Sequence, residues 1–214
     1  YLVWRYQETQ SRSEVISMNL KAYCIILILL TSMLCGCVSQ EQEIVVDDSI
    51  SAPERMSFTA PLMTNDSNIT HLILDEYISD NPVLLIWVAA GCMGCHSWTD
   101  IIADEVNNGN ISNSSLLSIH RYPSFESNSY VEEVYGNHEN ATNPVSWPLV
   151  LPSEDTKVID LDSGSESQLS FYDSFGYPST PTLQIMDNLG KIIWTSKTYW
   201  PTVEILDEIK NIIN

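Results

Sequence analysis

The segment Val83–Cys95 reads VLLIWVAAGCMGC, and this stretch decides how the rest of the chain is interpreted. It is apolar without a break as far as Ala90. A short, continuously apolar run is typical of a strand that is buried on both faces of a sheet. Gly91 ends the run, and the spacing Cys92-x-x-Cys95 follows at once. The sequence therefore predicts a central strand that carries two thiols at its carboxyl end.

Apolar residues recur at helical spacing after these thiols, so we expect a helix over Cys95–Val106. A thiolate at a helix N-terminus lies beside unpaired N–H groups and the positive end of the helix dipole, which makes it a better nucleophile for disulfide exchange. A second cysteine one turn along is close enough to resolve a mixed disulfide. We therefore assign Cys92 as the attacking thiol and Cys95 as the resolving thiol, with Met93 and Gly94 modulating their redox poise.

Further strands and helices are expected on both sides of this centre. Met56–Ala60 alternates like a strand, and His71–Ile78 has near-helical spacing. Downstream, the sequence predicts extended segments at Leu116–Arg121, Ser146–Pro152, Thr182–Met186 and Lys191–Thr195, and helices at Val131–Tyr135, Gln168–Phe175 and after Pro201. Asp187–Gly190 supplies turn residues for a closing β-hairpin. This order indicates an α/β sandwich with a mixed sheet.

A second motif, Ser179-Thr180-Pro181-Thr182, precedes the hairpin. The two motifs, in this order, resemble the signatures of thioredoxin-fold proteins. The long segment between the two motifs gives the chain a layout that resembles that of the redoxin-type, TlpA/ResA-like membrane-anchored thiol–disulfide oxidoreductases. The resemblance covers Met56–Asn214. It implies a thioredoxin-like three-layer sandwich with a central mixed β-sheet flanked by helices. It also implies that Pro181 is cis and faces the cysteines, and that Thr180 binds the backbone of an incoming peptide.

The chain departs from that family at several positions. Gly91 stands where an aromatic residue often precedes the first cysteine, and Ile86 stands where thioredoxins place a buried aspartate. Trp98 occupies the position of a glutamate that is common in TlpA-like members. Asp100 and Asp104 are the nearest acids along the chain, but no pattern directs them to the sulfurs. The resemblance therefore does not identify the proton acceptor of the resolving thiol.

Two other functions compete with disulfide exchange. Cys92-Met-Gly-Cys-His96 also fits the C-x-x-C-H pattern of covalent haem attachment, with His96 as an iron ligand. Small c-type cytochromes are mostly helical, however, and haem leaves the Thr180-Pro181 motif unexplained. The third alternative is a non-catalytic binding lipoprotein with a structural disulfide, although so small a loop restrains little chain entropy. In the dithiol interpretation His96 modulates the thiolate, and the incomplete ligand set predicts no metal site.

The N-terminal part is predicted to be a leader. Lys21 precedes the apolar run Ala22–Leu34, which is short for a membrane span and typical of a secretory signal. Leu34-Cys-Gly-Cys37 resembles a lipoprotein lipobox, which implies lipidation of Cys37 and a lipid anchor. We therefore expect an upstream extension at 1–17, a signal peptide at 18–37 ending at lipidated Cys37, an acidic tether at 38–55 and a thioredoxin-like domain at 56–214.

The charge of the chain limits its partners. Its 214 residues include 28 acidic and 9 basic ones, for a net charge of −19. Such an excess excludes nucleic acid, which needs a basic face. We expect partners with protein thiols or disulfides, and the resemblance points to cytochrome apoproteins or secreted proteins. No dissociable cofactor is expected, since the Cys92–Cys95 pair holds the electrons. The predicted location is extracytoplasmic, as a monomer anchored to the outer face of the cell membrane.

Overall fold

A computed structural model describes residues 50–63 and 71–214 of the chain. The predicted upstream extension, the signal peptide with Cys37 and most of the tether lie outside the described residues. Within them the strands are β1 Met56–Pro61, β2 His71–Ile73, β3 Val83–Val88, β4 Leu116–His120, β5 Leu149–Val150, β6 Val158–Asp160, β7 Thr182–Met186 and β8 Ile192–Ser196. The helices are α1 Leu74–Tyr77, α2 Met93–Asn107, α3 Asn128–Tyr135, α4 Phe171–Ser174 and α5 Val203–Ile213. A single 3-10 turn, Asn113–Ser115, leads into β4.

The larger sheet has five strands in the order β5-β4-β3-β7-β8. β3 is parallel to β4, β4 is parallel to β5, and β7 is antiparallel to both β3 and β8. All six residues of the central strand β3 are buried, as its continuous apolar run predicts. The parallel pairing brings the carboxyl ends of β3 and β4 to one edge of the sheet, where the CxxC motif begins.

Successive residues of β3 point to opposite faces of this sheet, because side chains alternate along a strand. Leu84 and Ile86 join an apolar cluster with α2, α3 and α5, whereas Leu85 and Trp87 join a cluster with β1, β6 and α4. Full burial of each such side chain contributes about 1.5–3 kcal/mol. The second face is covered by a three-stranded sheet, ordered β2-β1-β6. The predicted three-layer α/β architecture is thus present, with a small sheet forming much of one outer layer.

The structure differs from the sequence expectation mainly in short elements. His71–Ile78 is not one helix, because its first three residues pair with β1 as β2 and alternate in exposure. Within Gln168–Phe175 only the single helical turn α4 forms. Ser170 is its N-cap residue, and the Ser170 side chain accepts a hydrogen bond from the Asp173 N–H. Strand β6 was not expected from the sequence, since its three residues form a strand only by pairing with β1.

Candidate active site

The two cysteines of the domain form a disulfide at the start of α2, with Cα atoms 5.2 Å apart. Cys92 is the N-cap residue, and its Sγ accepts the Cys95 N–H at 3.1 Å. Cys92 is 8% exposed, whereas Cys95 is fully buried. Cys92 therefore lies at the helix end nearer the surface, and Cys95 lies behind it.

Cys92 opens onto a cleft of about 320 Å³. The cleft is lined by Ala89, Gly91, Cys92, Tyr122, Glu126, Thr180 and Tyr199. Thr180 thus lies in the same cleft as the first cysteine, although 88 positions of chain separate the two. The peptide bond between Thr180 and the buried Pro181 is cis. The structure therefore brings the two sequence motifs together at one site.

The three residues expected to modulate the thiols have different surroundings. Met93 is 60% exposed beside Cys92. A Cβ added at Gly94 would lie 2.6 Å from the Tyr199 carbonyl oxygen, so the helix approaches that loop more closely than a side chain allows. The Nε2 atom of His96 lies 2.8 Å from the Ala90 carbonyl oxygen. His96 is thus hydrogen-bonded to the segment that joins β3 to α2.

The acids singled out from the sequence do not reach the cleft. Asp100 accepts a hydrogen bond from Asn143 at 2.8 Å, and Asp104 is exposed on α2. Trp98 and Ile86, at the two family positions for a carboxylate, are fully buried. No carboxylate from α2 or β3 lines the cleft.

Glu126, which the sequence reasoning did not identify, supplies the carboxylate that lines the cleft. Its two oxygens accept the N–H groups of Ala90 at 2.8 Å and Gly91 at 3.0 Å. Its Oε2 also lies 3.0 Å from Nε2 of His120. Glu126 follows β4, and loops after parallel strands meet at the same sheet edge. That rule, applied to the loop after the predicted strand Leu116–Arg121, is the signal that could have found it.

Arg121, also missed from the sequence, holds the loop that leads to Thr180. Its Nε donates to the Pro178 carbonyl oxygen at 2.8 Å. The guanidinium lies over three tyrosine rings, those of Tyr122, Tyr172 and Tyr177, at 5.0, 4.0 and 4.7 Å from their centroids. Burial raises the pKa of Tyr172 and keeps that ring neutral. The cation therefore links the end of β4 to the Tyr177–Pro181 loop.

Within residues 50–63 and 71–214, no helix combines the length and the apolar character that crossing a bilayer requires. Over the same residues, no group of three or more His, Cys, Asp and Glu side chains is arranged to hold a metal ion.

No protein-family model matches the sequence, and no curated protein matches it at a significant level. The structure is similar to the thioredoxin domain of a thiol-disulfide oxidoreductase from Bacteroides vulgatus, with a TM-score of 0.50 and 15% identity, covering 78% of this chain and 99% of that one. StoA from Bacillus subtilis gives a TM-score of 0.49 at 15% identity, covering 73% and 97%. An exposed lipoprotein thioredoxin from Streptococcus pneumoniae gives 0.46 at 18% identity, covering 72% and 98%.

The first of these likenesses establishes the fold. At this level of identity it extends to the architecture and to nothing finer. Together with the mixed sheet and flanking helices, it confirms the predicted thioredoxin-like α/β fold.

Proposed function

We propose that the protein is a thiol–disulfide oxidoreductase that exchanges disulfides with protein partners. The observation that carries this proposal is the Cys92–Cys95 disulfide at the N-terminus of α2, open on its Cys92 side to a cleft shared with Thr180. A dithiol at a helix N-terminus, with one sulfur accessible and the other buried, is arranged for a two-step exchange.

In the reducing direction, the Cys92 thiolate attacks one sulfur of a partner disulfide. The new bond is a mixed disulfide, and the partner's other sulfur leaves as a thiolate that takes a proton. Cys95 then attacks Cys92, which forms the intramolecular disulfide and releases the second partner thiol. The partner gains two electrons and two protons, and the oxidising direction is the reverse. The dithiol carries the electrons, so no dissociable cofactor enters the steps.

The partner is expected to lie across the cleft as an extended segment. Thr180, held by its cis bond to the buried Pro181, lines the cleft where the backbone of the segment would bind, and Tyr122 and Tyr199 contribute aromatic surface. Partners with protein thiols or disulfides fit this arrangement, and cytochrome apoproteins and secreted proteins are the two classes that we propose. The lipid-anchored, extracytoplasmic location is part of the proposal and is supported by the Leu34–Cys37 motif and the apolar run before it. The monomeric state is proposed with it.

The haem alternative fits the described geometry less well. The candidate ligand atom Nε2 of His96 is hydrogen-bonded to Ala90, and the ring packs edge-on against Tyr135 with centroids 5.7 Å apart. A non-catalytic binding lipoprotein is distinguished from an oxidoreductase by the assay that follows.

The test is reduction of a peptide disulfide by the purified, pre-reduced protein, with its visible spectrum recorded on the same sample. We expect stoichiometric exchange by the wild-type protein and complete loss of exchange in Cys92→Ser. Wild-type protein that reduces no peptide, or that shows a Soret band, would overturn the proposal.

A further inference from the structure

The Glu126 carboxylate occupies the turn that leads into Cys92. It accepts both N–H groups that immediately precede this cysteine, from Ala90 at 2.8 Å and Gly91 at 3.0 Å. A carboxylate that accepts two successive N–H groups fixes the backbone between them. It also prevents either donor from turning to a neighbouring sulfur, because each N–H donates one strong hydrogen bond.

His120 holds this carboxylate from behind. Its side chain is fully buried at the end of β4, and its Nε2 lies 3.0 Å from Glu126 Oε2. Burial lowers the pKa of His120 more than the neighbouring carboxylate raises it, so the imidazole is neutral at neutral pH. In the part of the chain that the structure describes, its Nδ1 has no hydrogen-bond partner. His120 therefore orients Glu126 without cancelling its charge.

The charge of Glu126 is placed to act on the cleft. Its side chain is only 15% exposed, so solvent and salt screen it less than a surface carboxylate. No Lys or Arg forms an ion pair with it among the described residues. The other ionisable or charged groups around it are Tyr122 and Tyr199 on the cleft walls, Tyr135 of α3, His96 of α2 and Arg121 at the end of β4.

Two of these neighbours, Tyr135 and Arg121, do not neutralise the carboxylate. Burial raises the pKa of Tyr135 strongly and Glu126 adds to the rise, so this ring is neutral. Arg121 is engaged by the Pro178 carbonyl oxygen and three tyrosine rings. Neither neighbour forms an ion pair with the Glu126 carboxylate, which lines the cleft beside Cys92.

We infer that Glu126 is a positioning residue that disfavours ionisation of the Cys92 thiol. It does so by fixing the turn before Cys92 and by opposing a second negative charge in the cleft. The inference rests on the proposed function, in which Cys92 is the attacking thiol. A less favoured thiolate makes the reduced form less stable, and the pair correspondingly more reducing. The carboxylate thus sets the balance between the disulfide and the dithiol.

The test is Glu126→Gln in the Cys95→Ser background, where Cys92 is the one thiol left in the described domain. Glutamine keeps the size, loses the charge and cannot accept both N–H groups with two oxygens. Both changes favour the thiolate, so the pH midpoint of Cys92 alkylation should fall and the rate below that midpoint should rise at least about threefold. With both cysteines present, the equilibrium with glutathione should shift toward the dithiol by a similar factor.

Two further variants separate charge from structure. Glu126→Asp keeps the charge, so its alkylation midpoint should stay near the wild-type value even if its stability falls. Glu133→Gln makes the same charge change at an exposed position of α3 and should leave the midpoint unmoved. A midpoint that stays fixed or rises in Glu126→Gln would overturn the inference.

A measurement on unsubstituted protein covers the case in which Glu126→Gln does not fold. The carboxyl carbon resonance of Glu126 in the reduced protein should shift over the pH range in which Cys92 is alkylated, because the charge that forms on the Cys92 sulfur acts on the carboxylate that lines the same cleft. No shift in that range would contradict the inference. Alkylation needs no disulfide partner, so failure of peptide exchange with a lowered midpoint would overturn the proposed function alone.

Discussion

At Gly94, the redox helix has no room for a side chain. A Cβ there would lie 2.6 Å from the carbonyl oxygen and 2.9 Å from the ring of Tyr199. In an ordinary helix Gly→Ala adds about 0.5–1 kcal/mol of stability. Here we expect Gly94→Ala to lower the free energy of unfolding by about 1–3 kcal/mol, because a backbone oxygen must move to make space.

Urea unfolding of Gly94→Ala and of the adjacent control Met93→Ala checks this expectation. Met93 is 60% exposed, so its truncation should change the free energy of unfolding by less than about 0.5 kcal/mol. A gain of stability in Gly94→Ala would show that the Tyr199 loop yields easily and that the close approach is not a constraint.

His120 makes the stability of the fold sensitive to acid. Burial lowers its pKa from the ordinary 6.5 of the unfolded chain, so the unfolded state binds the proton more readily. Its stabilising contribution is therefore complete above about pH 6.5 and is lost as the pH falls toward the folded value. Over that window the free energy of unfolding should fall by up to about 1.4 kcal/mol per pH unit.

Urea unfolding at about pH 7, 6 and 5 measures this slope. His120→Gln removes the titrating group. The unfolding free energy of this variant should therefore fall less steeply with decreasing pH than that of the wild type, by up to the equivalent of one bound proton. His138→Gln, at a partly exposed position after α3, serves as the control. Its unfolding free energy should depend on pH through His120 as in the wild type. Equal slopes in His120→Gln and wild type would contradict the assignment.

At the scale of elements, Arg121 joins the end of β4 to the Tyr177–Pro181 loop. The buried guanidinium donates to Pro178 and stacks on three tyrosine rings, and a Lys ammonium cannot do both. We expect Arg121→Met to lower the free energy of unfolding by about 2 kcal/mol and Arg121→Lys to recover less than half of it. Both should raise KM for a peptide disulfide more than they lower kcat, because this loop carries Thr180, the residue proposed to bind the partner backbone.

Arg55→Met is the matched control for this cation. Arg55 forms an exposed ion pair with Asp162, so its loss should cost less than about 1 kcal/mol and leave KM unchanged. Full recovery of stability and KM by Arg121→Lys would show that charge alone holds the loop.

Elements with a strong local pattern could be predicted from the sequence. The apolar run of β3, the CxxC spacing and the Asp187–Gly190 turn each carry their own signal, and the structure has a strand, a helix N-terminus and a hairpin there. The placement of Glu126 and Arg121 could not be predicted in this way. Their roles depend on how the loop after β4 folds back onto β3 and β7, and no local spacing records that contact.

At the scale of the whole molecule, the sheet separates two apolar clusters, and the sulfurs lie at the edge of one of them. Cys92 and Cys95 belong to the cluster with α2, α3 and α5, so the central strand and the helices fix the redox pair from behind. The cleft on the open side is formed by loops from β4, β7 and the segment before α5. The proposed chemistry therefore depends on a rigid core that presents one sulfur to loops of different sequence origin.

The central claim is that Cys92 attacks a partner disulfide and Cys95 resolves the product. The most direct test is to mix reduced Cys95→Ser with a peptide disulfide, and to locate any covalent bond by mass spectrometry under non-reducing conditions. We expect a stable one-to-one mixed disulfide at Cys92, released by dithiothreitol and absent in Cys92→Ser. A Cys95→Ser protein that forms no complex, or that forms it through another cysteine, would show that Cys92 is not the attacking thiol.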